Sequence, residues 1–469
     1  MPTIRPCPLF LGFCLLSASS WNAGCAWIDA QPESDSSPED VSTQDDIRQD
    51  DADEALTCGE QHAANWPLAD APGCAGGRTC LDERGRWWLE GKPFIPRGLY
   101  NAGFEYVRVF DNCANGNPCE ETTPQDLEAY LDQMAQGGFN LIQERSRFVP
   151  DLRDAVNAHP EIYFAHLLWS DPFTEEGHAA LVEEIEAAAE DPDVIMWFGP
   201  DEVDMWDNWS MAAGIRRILR GASTQLDVGL ASVWAPEGEP YLPADQPAHD
   251  PYHLPYGAAL DATLALEEGT YVYEALMPTI YPLTASVSDV DGAYWGTERV
   301  STAASVGETV LPVLQMVGIS SMGLTQPTPN QLKALIASAL VHGARGAFYY
   351  TYISDEPHTA GREGWYAPDD EEAFAAYSAM HALQDDLVPV LFSDADEEAI
   401  TSGPVEWRRF DLGERSVAVV VNARDAAVEV YLTDIWPDAN TIRAYQTCEV
   451  MEEDTFTLRA HEVRVLEAF

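Results

Sequence analysis

The chain has 469 residues and a formal net charge of −54, because 79 aspartates and glutamates face only 25 lysines and arginines. So acidic a chain has no means of neutralising a phosphate backbone, which excludes a nucleic-acid-binding protein. The 14 tryptophans, 18 tyrosines and 16 phenylalanines exclude a wholly disordered chain, because disordered chains are poor in aromatic residues. The length predicts one large domain and a smaller one.

Residues 1–25 have the pattern of a secretory signal peptide, with an apolar run at Pro8–Leu16 that is too short to span a membrane. The ending Asn22-Ala23-Gly24-Cys25 resembles a bacterial lipobox, although Asn22 stands where leucine is usual. Two alternatives follow: ordinary cleavage and secretion, or a cell-surface or periplasmic lipoprotein attached to the membrane only by a lipid on Cys25. Both predict export.

Residues 26–57 are predicted to be a disordered acidic linker, since residues 28–57 hold eleven acidic residues, one arginine and no aromatic residue. A cysteine-containing segment, 58–85, then leads into the main domain. An oxidising compartment would pair the six cysteines that remain after the signal and Cys25, and their spacing fits no zinc site. They are Cys58, Cys74, Cys80, Cys113, Cys119 and Cys448.

Residues 86–395 alternate short apolar runs with longer amphipathic stretches, the pattern of a (β/α)8 barrel. The eight predicted strands are Phe94–Leu99, Phe139–Gln143, Ile162–Leu168, Val194–Phe198, Val228–Val233, Ala275–Tyr281, Val310–Met316 and Gly346–Tyr352. Predicted helices include Gln125–Gln136, Glu175–Glu190, Ser210–Gly221 and Pro329–His342. An open doubly wound sheet is the alternative, but no glycine-rich phosphate loop follows the first strand.

Residues 396–469 change to alternating strand-like runs, which predict a small antiparallel β-domain. The predicted fold class is therefore α/β: a (β/α)8 TIM barrel followed by a small antiparallel β-sandwich domain. In such a barrel the active site lies where the strands end, at their C-terminal side. The residues that directly follow each apolar run are therefore the candidates for chemistry.

Three acids, Asp201, Glu202 and Asp204, directly follow the fourth predicted strand. A general acid for glycosidic cleavage needs a carboxyl group whose pKa is raised by apolar surroundings and neighbouring negative charge. Adjacent acids beside Trp197 and Phe198 fit that need, and Glu202 is the predicted general acid/base. The alternative is that these acids cap a helix and occupy its first turn, a common arrangement.

Several motifs in residues 86–385 resemble clan A glycoside hydrolases. They are Trp88–Phe94 leading to Arg97–Asn101 at the first strand, Gly137–Asn140 before the second, Trp197–Glu202 at the fourth, Pro312–Gln315 at the seventh and Ala339–Gly346 before the eighth. The resemblance implies a retaining hydrolase with Glu202 as acid/base and a nucleophilic glutamate at the end of strand seven. Gln315 stands there instead, and an amide cannot be that nucleophile.

This departure leaves four explanations: a different alignment, another acid as nucleophile, an inverting enzyme, or no hydrolase activity. The candidates for a second carboxylate are Glu144, Asp201, Asp204 and Asp355. The sequence from Asp201 to Asp204, with Trp206, also resembles the Asp-Glu pair of family 20 β-hexosaminidases, in which the substrate's N-acetyl group is the nucleophile. Against this, Phe198-Gly199-Pro200 replaces the histidine and paired glycines of that family.

Aromatic and polar side chains at the predicted strand ends suit a carbohydrate, whose rings pack on aromatic faces while its hydroxyls bind polar groups. The aromatic candidates are Tyr100, Trp169, Trp206, Trp209, Trp234, Tyr281, Tyr350 and Tyr352, and the polar ones are Arg97, Asn101, His166, Asp204 and Gln315. Core packing is the alternative for many of them, His166 included. The predicted function is an exported glycoside hydrolase without cofactor or metal, or else a non-catalytic glycan-binding barrel.

Overall fold

The computed structural model describes residues 66–72, 78–100, 124–144, 150–168, 170–199, 211, 214–215, 218–219, 230–234, 275–284, 287–290, 309–320, 323–357, 363–400, 405–439 and 441–469. Within these ranges the chain forms a small antiparallel sheet, a large parallel sheet and further antiparallel sheets towards its C-terminal end. None of the helices in these ranges is both long and apolar enough to cross a lipid bilayer.

A three-stranded antiparallel sheet covers the N-terminal end of the barrel. Its strands are β1 Thr79–Leu81, β2 Trp87–Leu89 and β3 Lys92–Phe94. Trp87 is fully buried among the side chains of the barrel lumen, and Thr79 Oγ1 donates a hydrogen bond to the Ile195 carbonyl at 3.2 Å. Phe94 packs edge-on against Tyr163, at the start of a barrel strand. This sheet therefore blocks one mouth of the barrel.

The barrel strands are β4 Arg97–Leu99, β5 Leu141–Glu144, β6 Tyr163–Leu167, β7 Val194–Phe198, β8 Leu230–Trp234, β9 Ala275–Ile280, β10 Thr309–Val310, β11 Val313–Gln315 and β12 Ala347–Tyr350. β10 and β11 both pair with β9, so together they act as one interrupted strand. Because β8 pairs with β9 and β12 with β4, the parallel sheet closes on itself as a ring of eight. The predicted barrel is confirmed, and the open-sheet alternative is wrong.

Helices lie between the strands along the chain: α1 Pro124–Gln136, α2 Pro150–Val156, α3 Glu175–Ala189, α4 Pro329–Val341, α5 Glu371–Asp386 and α6 Val388–Leu391. α4 begins with a capping box in which Thr328 and Gln331 each bond the other's backbone N–H. α1 ends before Gly138, which adopts a φ of +75° and lies so close to His381 that a Cβ would be 2.7 Å from that residue's Cβ.

Successive strand residues face two different cores, because side chains alternate across a strand. Leu141 and Phe348 fill the lumen, whereas their neighbours Ile142 and Tyr349 face the layer between strands and helices. Gly98 allows the Phe348 ring to lie directly over its backbone, since a Cβ there would come within 2.4 Å of that ring. The lumen is a packed core, as expected for an eight-stranded barrel.

A buried histidine joins α5 to the eighth barrel strand. His381 Nδ1 donates to the Gly137 carbonyl at 2.6 Å, and its Nε2 accepts from the Tyr349 hydroxyl at 2.9 Å. Burial, together with the Arg97 guanidinium, lowers the pKa of His381 to about 3 against the opposing effect of its bond to Gly137. The imidazole is therefore neutral at neutral pH, in the tautomer that carries its proton on Nδ1.

The C-terminal part forms two antiparallel sheets. One has five strands in the order β15 Asp396–Ile400, β16 Val405–Leu412, β17 Arg415–Asn422, β21 Val463–Ala468 and β19 Ile442–Ala444, and the other pairs β18 Val428–Tyr431 with β20 Thr455–Leu458. A short helix, α7 Leu432–Ile435, follows β18. Val420 of the first sheet and Leu458 of the second share one buried core, so the predicted sandwich is confirmed.

Polar contacts attach this sandwich to barrel helix α4 and to Arg345, which follows that helix. Glu397 of β15 accepts hydrogen bonds from Arg345 at 2.8 and 3.0 Å and from Arg408 at 2.6 Å. Burial opposes ionisation of Glu397, but the two guanidiniums overcome it and hold its pKa below the usual value. On β16, the buried Glu406 accepts from Ser338 Oγ at 2.9 Å. The interface therefore depends on matched charges as well as on apolar burial.

Candidate functional site

β1–β3 cover the N-terminal mouth of the barrel, and we call the mouth that they leave uncovered, at the C-terminal ends of the strands, the accessible mouth. Among the described residues, aromatic rings lie side by side just below this mouth. Tyr100 contacts Phe198 and Tyr350 with ring centroids 5.9 Å apart in both cases, and Tyr350 stacks on Tyr281 at 5.6 Å. We call these four residues the aromatic floor. They come from the first, fourth, sixth and eighth barrel strands or the residues that follow them.

Tyr100, Tyr281 and Tyr350 were predicted to contact substrate. Tyr100 is 5% exposed and Tyr281 is 8% exposed, whereas Tyr350 is half-buried. The structure brings the three together at the predicted end of the barrel, on the same side as the residues that follow β7. Tyr350 is the most exposed of the three, and the rings of the other two both contact it.

Gln315 ends β11 and is 1% exposed. Its Nε2 donates to the carbonyls of Leu283 at 3.2 Å, Val317 at 3.3 Å and Thr325 at 2.8 Å, and its Oε1 accepts from the Leu283 N–H at 2.9 Å. Both ends of the amide are thus occupied by the backbone of two neighbouring loops. The prediction that Gln315 binds sugar hydroxyls is corrected: it is a clamp that fixes the backbone after the sixth and seventh strands.

Arg97 and His166 also require correction. The Arg97 guanidinium faces α5, where it donates to the His381 carbonyl at 3.0 Å and to Asp385 at 2.8 Å. His166 faces α3, with its Nε2 3.2 Å from Glu184 Oε1. Each side chain lies on the outward face of its strand and is occupied by a helix, so neither reaches the mouth.

Tyr352 is the third predicted contact that lies elsewhere. It is fully buried and packs edge-on against the rings of Tyr130, Phe139 and Tyr366. Burial raises the pKa of its hydroxyl far above the usual value, and the neighbouring tyrosines add to this effect. Tyr352 is part of the outer core, two residues beyond Tyr350 in the chain but away from the floor.

Other predicted site residues fall outside the described residues: Asn101, Trp169, Asp201, Glu202, Asp204, Trp206 and Trp209. For Glu144, Trp234 and Asp355 only the backbone is described. Glu144 ends β5 opposite His166, and Trp234 ends β8. Asp355 lies within β13 Ile353–Pro357, which forms a hairpin with β14 Glu363–Tyr366 directly after the eighth barrel strand.

The sequence reasoning missed three residues at this end of the barrel. Phe198 precedes the three acids in the chain, and its ring is part of the floor. Gln143 is 2% exposed one residue before the end of β5. Phe173 follows the third strand and is 60% exposed. Its position could have been recognised in the sequence, because Phe173 lies between the end of a strand and Thr174, which caps the next helix.

No protein-family model matches the chain, and no curated protein resembles it in sequence. Solved structures do resemble it in fold. AmyP in complex with maltose superimposes with a TM-score of 0.53 at 10% identity, over 80% of this chain and 96% of that chain. An α-amylase from Geobacillus thermoleovorans, complexed with acarbose, gives 0.52 at 11% identity, over 80% of this chain and 98% of that chain.

A variant of AmyP in complex with maltotriose gives a TM-score of 0.51 at 11% identity, over 80% of this chain and 96% of that chain. At such low identity the likeness establishes the fold and leaves the activity to be argued from the site. The chain therefore shares the (β/α)8 barrel fold of these amylase structures, at low sequence identity.

Proposed function

We propose that this protein is a glycoside hydrolase that cleaves an oligo- or polysaccharide with Glu202 as general acid/base. One observation carries the proposal: β7, the fourth strand of a closed barrel, ends at Phe198 in the aromatic floor, and the three acids begin three residues later. The chain thus leaves the barrel at the accessible mouth immediately before Asp201, Glu202 and Asp204. In this fold, that is where catalytic groups stand.

The chemistry required of Glu202 is protonation of the leaving glycosidic oxygen. A carboxyl group remains protonated near neutral pH when apolar neighbours and other carboxylates disfavour its ionised form. Asp201 and Asp204 supply the negative charge in this proposal, and the floor supplies an apolar surface on which a sugar ring packs. Tyr100, Tyr281 and Tyr350 are the floor residues proposed to contact or support that ring.

A second carboxylate has to complete the reaction, and Gln315 is not available for it. Asp201, Glu144 and Asp355 are the proposed alternatives, since each lies at or just beyond the C-terminal side of a barrel strand. A separation of about 5 Å from the acid would make the enzyme retaining, and about 6.5–9.5 Å would make it inverting. If the N-acetyl group of a substrate is the nucleophile, Asp201 orients it and no second carboxylate attacks.

A non-catalytic glycan-binding barrel is the second candidate function. The Gln315 clamp favours it. Gln315 stands where the resemblance to clan A enzymes places a nucleophilic glutamate, but its amide is hydrogen-bonded to the backbone at both ends and cannot act as a nucleophile. The floor suits binding as well as hydrolysis. The amylase structures with the same fold are complexes with maltose, maltotriose and acarbose, which supports a carbohydrate ligand in either case.

Reducing-sugar release by the full chain from neutral and acidic polysaccharides tests the proposal. The matched variants are Glu202→Gln and Glu449→Gln, the latter at an exposed acid of the β-sandwich. We expect release by the wild type and the Glu449 variant, and at least a hundredfold loss in the Glu202 variant. Unchanged release in the Glu202 variant would refute the assignment, and binding without release by any of the three would favour the second function.

We further propose that the chain is exported, with the acidic segment before residue 58 as a spacer and the six remaining cysteines paired. The support lies in the sequence: an apolar leader, the lipobox-like ending at Cys25, and an even number of cysteines after it. The alternatives of a lipid anchor and of free secretion both place the barrel outside the cytoplasm, where polysaccharides are met.

A further inference from the structure

Phe173 is the most exposed of the large hydrophobic side chains in the described part of the chain, at 60%. It lies in the loop that joins the third barrel strand, β6, to α3, and therefore at the accessible end of the barrel. A lone exposed hydrophobic residue is ordinary on a protein surface. Phe173, by contrast, lies on a loop whose backbone is fixed by hydrogen bonds and by a buried proline.

The backbone at Phe173 is held from both sides. Asp171 Oδ1 accepts from the Phe173 N–H at 2.9 Å, and the next residue, Thr174, caps α3 by accepting from the Gly177 N–H at 3.1 Å. Pro172 between them is buried and restricts the chain further. The ring is thus displayed on a fixed loop, and a ligand that covers it would not have to order that backbone on binding.

The ring also adjoins the element that follows the acids. Gly214 follows the three acids in the chain, and a Cβ there would be 2.5 Å from Pro172 Cγ and 3.2 Å from Phe173 Cζ. A glycine at this position therefore lets the third and fourth units of the barrel meet closely. As a result, Phe173 contacts the part of the chain that follows Glu202 in sequence, and it is not one of the four residues of the aromatic floor.

Charge restricts what can lie on this ring. Asp171, Glu175 and Glu176 beside it are all exposed, and the whole chain carries a net charge of −54. A polymer of uronates or sulfated sugars would be repelled at low ionic strength. A neutral glycan would instead pack the C–H face of a ring on Phe173 and donate hydroxyl hydrogen bonds to these carboxylates.

We infer that Phe173 is an aromatic platform for a sugar ring of a neutral glycan at the rim of the barrel, one site beyond the aromatic floor. The inference rests on the proposed carbohydrate-active site and adds the class of substrate: long and uncharged. Because the platform lies outside the floor, it serves chains of several sugars and contributes little to short ones.

The test is affinity electrophoresis of the full chain in gels containing starch, mixed-linkage β-glucan or galactomannan, and in gels containing alginate or pectate, at low salt. The variants are Phe173→Ala, Phe173→Trp and, as a control, Tyr431→Ala at an exposed aromatic residue of the β-sandwich. We expect a neutral polysaccharide to retard the wild type, about tenfold weaker binding in Phe173→Ala, and retained binding in the other two.

Three results would refute the inference that Phe173 is a platform for a neutral glycan. They are equal binding by Phe173→Ala and wild type, stronger retardation by alginate or pectate than by neutral polysaccharides, and no retardation of the wild type by any neutral polysaccharide. Hydrolysis is measured separately on the same polysaccharides. Release that depends on Glu202 but not on Phe173 refutes the platform alone. Binding that depends on Phe173 without any release refutes the hydrolase alone.

Discussion

Replacing Gln315 by glutamate tests whether this residue is a structural clamp or a catalytic position that lost its acid. The substitution changes only Nε2 into an oxygen. In the structure that nitrogen donates to three backbone carbonyls, of Leu283, Val317 and Thr325. A carboxylate there would present a negatively charged acceptor to three further acceptors, in a side chain that is 1% exposed.

The expected cost follows from those bonds. The amide has two N–H groups, and each net hydrogen bond contributes about 1 kcal/mol, while buried carbonyls left unpaired cost about 1–3 kcal/mol. We therefore expect Gln315→Glu to lower the free energy of unfolding by about 2–4 kcal/mol at neutral pH. Hydrolase activity should not increase, because the loops after the sixth and seventh strands lose their anchor.

The loss should depend on pH in a defined direction. Burial among carbonyls raises the folded-state pKa of the new carboxyl above its unfolded value of about 4.3. A group with a raised folded pKa favours the folded state below the unfolded pKa, and that contribution disappears as the pH rises through the folded pKa. The variant should therefore be closest to wild type in stability near pH 4 and least stable, relative to wild type, above neutrality.

Urea unfolding followed by tryptophan fluorescence at several pH values measures both effects. Gln326→Glu is the matched control, because Gln326 is only half-buried. Its Oε1 accepts from the Gly318 N–H at 3.0 Å, a bond that a carboxylate retains, and its Nε2 donates to the Met316 carbonyl at the longer distance of 3.4 Å. We expect the control to lose less than about 1 kcal/mol. A Gln315 variant as stable as the control at pH 8, or one that gains hydrolase activity, would refute the clamp.

Three further predictions concern stability and processing. Burial lowers the folded pKa of His381 to about 3 from an unfolded value near 6.5, so wild-type stability should fall as the pH is lowered below 6.5. In denaturant titrations, the difference in free energy of unfolding between wild type and His381→Gln should shrink by about 2–3 kcal/mol by pH 4.5. A difference that stays constant with pH would contradict this. Glu397→Gln should lower the free energy of unfolding, measured by thermal denaturation, by about 2–4 kcal/mol, since it leaves two part-buried guanidiniums without a carboxylate. Glu398→Gln, at a more exposed ion pair, should lower it by less than about 1 kcal/mol. Equal losses in the two variants would argue against a buried electrostatic interface. Palmitate labelling in a bacterial host should mark the wild type and not Cys25→Ser if the leader is of the lipoprotein type, and an unlabelled secreted wild type would establish ordinary cleavage.

The hydrophobic pattern alone was sufficient to predict the eight barrel strands and the sandwich. Apolar runs separated by amphipathic stretches indicate buried parallel strands joined by helices, and alternating runs indicate antiparallel strands. Interruptions within the runs were not predictable. Phe94–Leu99 divides into β3 and β4, and Val310–Met316 divides around Leu311 and Pro312. β3 pairs with the adjacent β2, whereas β4 pairs with β5 and β12, which are distant in the chain, so local sequence does not show where one partner replaces the other.

The sequence by itself determined where along the chain the barrel strands end, and therefore where the candidate site residues lie in the chain. It did not determine which way each side chain faces. Tyr100 and Arg97 belong to the same strand region, yet one lies in the aromatic floor and the other is bonded to α5. A polar residue inside a buried parallel strand has no amphipathic pattern to orient it. Only the closed ring of strands, with its lumen on one side and its helices on the other, decides whether a given side chain faces the lumen and its mouth or the helix layer.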